Sequence, residues 1–219
     1  MPFPFKAVIF DMDGVIVDTE KFYFDELAHL SDDLGLGITL EERKNQVGMS
    51  HQAFQRSLVK WMERGGRGRM SGDEAEAIYN AWAATRPHPY ADLLNPGVVE
   101  TVAALHEMGV RVALASSSPM ANILQVLDAC GLAGRFDPIV SGEQFHESKP
   151  DPEIYLHTLD LVGLPASACC CLEDSAYGIA AGRAAGLFVV AKREERFGFS
   201  QDEANAIIDT VPDLLRVTR

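Results

Sequence analysis

Cations are scarce in this 219-residue chain. Its 19 Lys and Arg stand against 32 Asp and Glu, a formal net charge of −13 at pH 7. That deficit excludes nucleic acid and anionic membranes as general partners. An anionic substrate must instead be drawn in by a local cation and a few placed Lys or Arg. Long apolar runs are missing too, so no segment reads as a bilayer span. The opening residues Met1-Pro2-Phe3-Pro4-Phe5-Lys6 lack the charged and apolar regions of a signal peptide, and the expected location is cytoplasmic. Six scattered histidines, with no H-x-x-x-H pair, do not make a zinc enzyme. Of the four cysteines, Cys169, Cys170 and Cys171 are consecutive, which is no metal-ligand spacing. They read as small apolar residues of a buried strand in a reducing compartment.

What is present is a folded globular composition, 47% hydrophobic and 23% charged. The length exceeds the usual size of one domain, so a main domain plus an insertion is expected. The most informative segment is Asp11-Met12-Asp13-Gly14, directly behind the apolar run Lys6-Ala7-Val8-Ile9-Phe10. Side chains alternate along an extended segment, so Asp11 and Asp13 share a face. Two like charges that close shift each other's pKa unless a cation lies between them. A magnesium site fits, with one carboxylate as nucleophile and the other as proton donor. A plain surface turn built from Asp and Gly is the alternative that these four residues alone leave open.

From about Pro96 onward the pattern alternates helix and strand. Asn95-Pro96-Gly97 opens a helix with Val98, Val102 and Leu105 on one face and Gly109 as its stop. A strand over Val110 to Ala115 follows. Ser118-Pro119 starts a helix with Ile123, Leu127 and Cys130 as its stripe. Asp151-Pro152 starts another, running through Ile154, Tyr155, Thr158 and Leu161 to Gly163. Then come the strand Cys169 to Leu172, a small-residue helix from Ser175 to Ala185, strands at Leu187 to Val190 and Ala206 to Ile208, and a terminal helix near Leu214. This predicts an α/β fold, a doubly wound parallel sheet with a Rossmann-like core. Between Asp18 and Pro89 the periodicity is helical only: Phe22, Leu27 and Leu30; Phe54, Leu58 and Trp61; Ala77, Ile78 and Trp82. The expected domains are a core of residues 1–17 and 90–219 and an inserted α-helical cap of residues 18–89. Arg64-Gly65-Gly66-Arg67-Gly68-Arg69, between two cap helices, reads as a solvated loop.

Ligands of open α/β sheets bind at the carboxyl ends of the strands. Those ends carry Asp11 and Asp13, then Ser116 within Ala115-Ser116-Ser117-Ser118, then Lys149 in Ser148-Lys149-Pro150, then Glu173-Asp174. Carboxylates for a metal, a hydroxyl and a lysine on one edge are what phosphoryl transfer needs.

In order and spacing, these segments resemble the four motifs of the haloacid dehalogenase-like hydrolase superfamily. The first is Asp11-Met12-Asp13-Gly14-Val15 with Asp18-Thr19-Glu20; the others are Ser116, Ser148-Lys149-Pro150 and Leu172-Glu173-Asp174-Ser175. The likeness is greatest to its β-phosphoglucomutase-like branch of helical-cap sugar phosphate phosphatases. It implies Asp11 as the nucleophile that becomes an aspartyl phosphate, and Asp13 as the acid and then the base. It implies Mg²⁺ held by the Asp11 carboxylate, the Asp13 carbonyl and Asp174, with Glu173 at or near the metal. Ser116, Ser117 and Lys149 would bind phosphoryl oxygens, and backbone N–H groups after Asp11 would be further anion donors. A carboxylic acid at Asp13 favours an alkoxide leaving group, hence phosphate monoesters over carbon–halogen bonds.

The expected reaction is Mg-dependent hydrolysis of a small phosphorylated metabolite, with β-phosphoglucomutase-type phosphosugar transfer as the alternative. Mutases of the branch carry cap cations around a Gly-Val-Ser, where this chain has Val47 and His51 in Val47-Gly48-Met49-Ser50-His51. Their second-motif Lys-Asn pair is Pro119-Met120 here, and their cap His is Tyr23. Tyr23 and His51 are the cap residues expected to face the substrate. The expected state is a monomer or weak dimer.

Overall fold

The computed structural model describes residues 3–46, 49, 51–86 and 89–219. They divide into two compact units, Met1–Asp18 with Tyr90–Arg219, and Thr19–Pro89. Strand β1 (Ala7–Phe10) is followed by the helices of the second unit, α1 (Thr19–Leu34), α2 (Leu40–Lys44), α3 (His51–Arg64) and α4 (Gly72–Ala83). The chain then alternates through α5 (Val98–Glu107), β2 (Arg111–Ser116), α6 (Met120–Ala129), β3 (Ile139–Ser141) and α7 (Glu153–Val162). It ends with β4 (Cys169–Glu173), α8 (Ala176–Ala184), β5 (Phe188–Lys192) and β6 (Ala206–Ile208).

The strands form one sheet in the order β3-β2-β1-β4-β5-β6, and every pairing is parallel. Strand order reverses beside β1, so the switch-point crevice opens at the carboxyl ends of β1 and β4. Burial on both faces explains why the strands read as nearly continuous apolar runs. Val8, Phe10, Val112, Leu114, Cys170 and Leu172 pack on one side with α5 and α6. Ala7, Ile9, Ala113, Ala115, Cys169 and Cys171 pack on the other with α7 and α8. The three consecutive cysteines are thus divided between the two faces, fully buried as the apolar reading requires.

The helices start later than the proline signals suggest, by one residue after Pro119 and Pro152 and by two after Pro96. Gly97, Pro119 and Pro152 are N-caps, and α5, α6 and α7 begin behind them. Proline's fixed φ suits the residue before the first turn as well as the turn itself. On α7 the expected stripe is corrected: Leu161 is half exposed, and Leu159 and Val162 are buried in its place. The terminal segment Val211–Arg216 is a 3₁₀ helix.

The helical unit has its own core of Leu27, Leu30, Leu36, Ile38, Leu58, Trp61, Met62 and Ala75. On α4, Ala77 is exposed, and Ala75, Ile78, Tyr79 and Trp82 face this core. The basic glycine run is largely exposed, as a solvated loop should be, and is anchored by two of its arginines. Arg64 closes α3 and forms a two-pronged pair with Glu42 at 2.9 Å, while its Nε donates to the Leu36 carbonyl at 2.9 Å. Arg67 donates to the Leu34 carbonyl. Among the described residues no helix is long and apolar enough to cross a membrane.

Candidate active site at the strand ends

Where β1 ends, the Asp11 N–H still donates to the Leu172 carbonyl at 2.9 Å, which holds the residue against β4. The chain then turns: Gly14 has φ +79°, and its N–H donates to the Val17 carbonyl at 2.7 Å. Glycine is required twice over here. Its conformation is left-handed, and a Cβ on it would sit 1.8 Å from Asp174 Oδ2. Asn95 secures the turn from outside, donating through Nδ2 to the carbonyls of Gly14 and Val15.

Lys149 is the centre of charge. Its buried ammonium lies 2.6 Å from Asp11 Oδ1, 2.6 Å from Glu173 Oε1 and 3.0 Å from the Ala115 carbonyl. Three acceptors match the three protons of an ammonium. Glu173 Oε1 also accepts from the Tyr155 hydroxyl, and Lys149 Nζ lies 4.9 Å from the centre of that ring. Asp11, Glu173 and Asp174 offer carboxylate oxygens all within 4.8 Å of one another.

Burial raises the Asp11 pKa well above the carboxylate range, and the charges of Glu173 and Asp13 add to the rise against the pull of Lys149. For Lys149, burial works to lower the pKa, but Asp11 and Glu173 outweigh it and hold the group above its ordinary value. Three carboxyl groups thus converge on a place served by one lysine.

Asp13 is half-buried, and its Oδ2 accepts from the Ser118 hydroxyl at 2.9 Å. The Ser116 hydroxyl is fully buried and accepts from the Ser118 N–H at 3.1 Å. Ser117 Oγ accepts from Ser148 at 3.2 Å. The expected anion donors after Asp11 are corrected in part. The N–H groups of Gly14, Val15 and Ile16 are committed to the turn's own carbonyls, Val17 and Met12.

Asp11, Asp13, Ser116, Lys149, Glu173 and Asp174 are thus all delivered by the core unit. Tyr23 and His51 belong to the helical unit. Tyr23 packs edge-on against Phe22, and His51 Nε2 lies 3.3 Å from Glu76 Oε2. Val47, Gly48 and Ser50 of the cap segment lie outside the described residues. The sequence pattern alone did not single out Ser118, Tyr155, Asn95 or Gln201 as polar partners of the site. Gln201 donates to the carbonyls of Asp174 and Lys192, so the segment after β5 is tied to the turn that follows β4. None of the four carries a charge, and each is defined by a contact distant in sequence. A separate groove of about 700 Å³, lined by Phe3, Phe5, Val110 and Leu215 among others, lies near the amino ends of β1 and β2 and takes no part in this cluster.

Residues 5–186 match the family model described as haloacid dehalogenase-like hydrolase. A phosphorylated carbohydrates phosphatase of Thermotoga maritima is 31% identical over 184 residues, covering 83% of this chain and 82% of the relative. Hexitol phosphatase B of Escherichia coli K12 is 31% identical over 216 residues, covering 95% and 96%. In structure the chain is similar to a β-phosphoglucomutase from Clostridium difficile, with a TM-score of 0.77, 24% identity, and coverage of 98% of this chain and 93% of the other.

Proposed function

The chain belongs to the haloacid dehalogenase-like hydrolases, and on that footing we propose that it hydrolyses small sugar or polyol phosphates through an aspartyl phosphate on Asp11. The observation that carries this reading is the pairing of Asp11 with Lys149 at 2.6 Å, with a second carboxylate, Asp13, two residues on and held by Ser118. Both full-length and near-full-length relatives named above act on phosphorylated carbohydrates or hexitols by name, which supports the substrate class.

In the first half-reaction the Asp11 carboxylate attacks phosphorus, the ester P–O bond breaks, and Asp13 passes its proton to the leaving oxygen. In the second, Asp13 takes a proton from water, and that water releases inorganic phosphate from Asp11. Lys149 offsets charge on Asp11 and the phosphoryl oxygens, and Ser116 and Ser117 orient them. The donor set suits Mg²⁺: three carboxyl groups converge, all hard oxygen ligands, on a place served by one lysine. Asp11, Asp174 and the Asp13 carbonyl would hold the ion, with Glu173 beside it under the grip of Lys149 and Tyr155. When bound, it supplies positive charge to the phosphoryl oxygens and keeps Asp11 ionised.

The mutase reading is the weaker one. A mutase must hold a second phosphate, and the loop behind Ser118 offers no cation there. Instead the Met120 N–H is already taken by the Glu143 carboxylate at 2.7 Å, a group that repels phosphate. Tyr23 and His51 remain our candidates for contact with the sugar, and the helical unit for the cap. We place the protein in the cytoplasm as a monomer or weak dimer. Turnover of a panel of sugar and polyol phosphates with Mg²⁺, followed as phosphate release, tests the reading. Isomerisation of β-glucose 1-phosphate with little phosphate released would reverse the choice.

A further inference from the structure

Asp13 has to serve twice, as acid and then as base, from a turn whose backbone is shaped by a left-handed glycine. We infer that Ser118 positions it: its hydroxyl holds one carboxyl oxygen of Asp13 and so fixes the orientation of the acid. This inference rests on the phosphatase reading and adds to it a residue with no direct part in bond making.

The observation is geometric. Ser118 Oγ lies 2.9 Å from Asp13 Oδ2, joining the loop after β2 to the turn after β1 across 105 residues. A hydroxyl that donates to Oδ2 anchors one edge of the carboxyl. It also restricts rotation of the carboxyl, which orients the acid before substrate arrives.

Ser118 can do this because it is itself fixed on both sides. Its N–H donates to Ser116 Oγ at 3.1 Å, and its carbonyl accepts from Ser141 Oγ at 2.8 Å. The turn after β3 presses against the same loop: a Cβ on Gly142 would lie 2.9 Å from the Ser117 Cα and carbonyl oxygen. The seating of Ser118 is therefore set by β2 and β3, not by the loop alone.

The role predicts a dependence on the leaving group. An alkoxide must be protonated as it departs, whereas p-nitrophenolate leaves as a stable anion. Because kcat/KM reports steps through formation of the aspartyl phosphate, it isolates the acid role from the later base role. The experiment compares kcat/KM for p-nitrophenyl phosphate with that for the best-used member of a panel of alkyl phosphates, glycerol phosphate, glucose 6-phosphate and sorbitol 6-phosphate, in wild type, Ser118→Ala and Ser118→Thr. In Ser118→Ala the alkyl-to-aryl ratio should fall about tenfold, a fraction of the whole effect of a general acid. Ser118→Thr, which keeps the hydroxyl, should restore most of the ratio. Equal losses on both substrates would mean that Ser118 acts on substrate binding or on the fold, and would overturn the inference while leaving the phosphatase reading intact. A wild-type protein inert toward every alkyl phosphate would overturn that reading and the inference with it.

Discussion

The ammonium of Lys149 lies 2.6 Å from Oδ1 of Asp11, a contact between residues 138 positions apart and almost wholly shielded from water. Neither group would be stable at that depth alone, since an unpaired buried charge is costly. Glu173 sits on the other side of the same ammonium at 2.6 Å, so one cation serves two carboxylates.

Removing that cation should therefore damage both chemistry and fold. Lys149→Met leaves Asp11 and Glu173 facing each other without their shared cation, and breaking a buried pair of this kind costs about 3–5 kcal/mol. We expect kcat/KM to fall more than about a hundredfold, as for loss of other preorganised charges. Lys149→Arg should restore little, because a planar guanidinium cannot address three acceptors arranged for an ammonium. Thermal unfolding and steady-state kinetics of the two variants check this, and an arginine variant with near wild-type turnover would count against it.

Gly14 tests the metal reading from the backbone side. In Gly14→Ala the new Cβ would meet Asp174 Oδ2 at 1.8 Å in a conformation of φ +79°. Asp174 or the turn must shift to relieve the contact, so the variant should need roughly tenfold more Mg²⁺ for half activity, the order of loss seen when metal-site support is disturbed. A titration of activity against Mg²⁺ reads the outcome. An unchanged half-saturating concentration would remove Asp174 from the metal site.

The helical unit should lose stability in acid through Glu42. The Arg64 pair, together with the Thr39 N–H and with Lys60, pushes the Glu42 pKa down from 4.5 to about 2. A carboxyl whose folded pKa is depressed contributes stability fully above its unfolded value, and that contribution is lost as pH falls towards the folded one. The stabilisation should thus fade between pH 4.5 and about 2, by about 1 kcal/mol given the partial exposure of the pair. Denaturant unfolding of wild type and Arg64→Met at a series of pH values should show the two curves converging over that window.

The core was legible because parallel strands buried on both faces leave long apolar runs, and because Gly and Pro punctuate the helices between them. Asp11, Asp13, Glu173 and Asp174 stood out as candidates because charged residues directly behind such runs are unusual unless a ligand needs them; Lys149, eight residues past β3, stood out only through the Ser148-Lys149-Pro150 motif. What escaped was of two kinds. Leu161 and Ala77 fell on exposed faces because a few apolar residues fit more than one helical stripe, and only packing chooses between them. Ser118, Tyr155, Asn95 and Gln201 escaped because a neutral hydrogen-bonding residue gives no sign of its distant partner. The helix starts at Met120 and Glu153 were displaced by one residue, and that at Val98 by two, because proline is accepted on either side of that boundary.

The central claim is that phosphate passes through Asp11, and it is tested most directly by trapping. The protein should be mixed with Mg²⁺ and a phosphate monoester that it turns over, quenched in acid within the first turnover, and its peptides analysed by mass spectrometry. One phosphoryl group is expected on the peptide carrying Asp11, and neither phosphopeptide nor turnover in Asp11→Asn. A phosphoryl group on any other residue, or an Asp11→Asn protein that still turns over at more than a few percent of wild type, would contradict it.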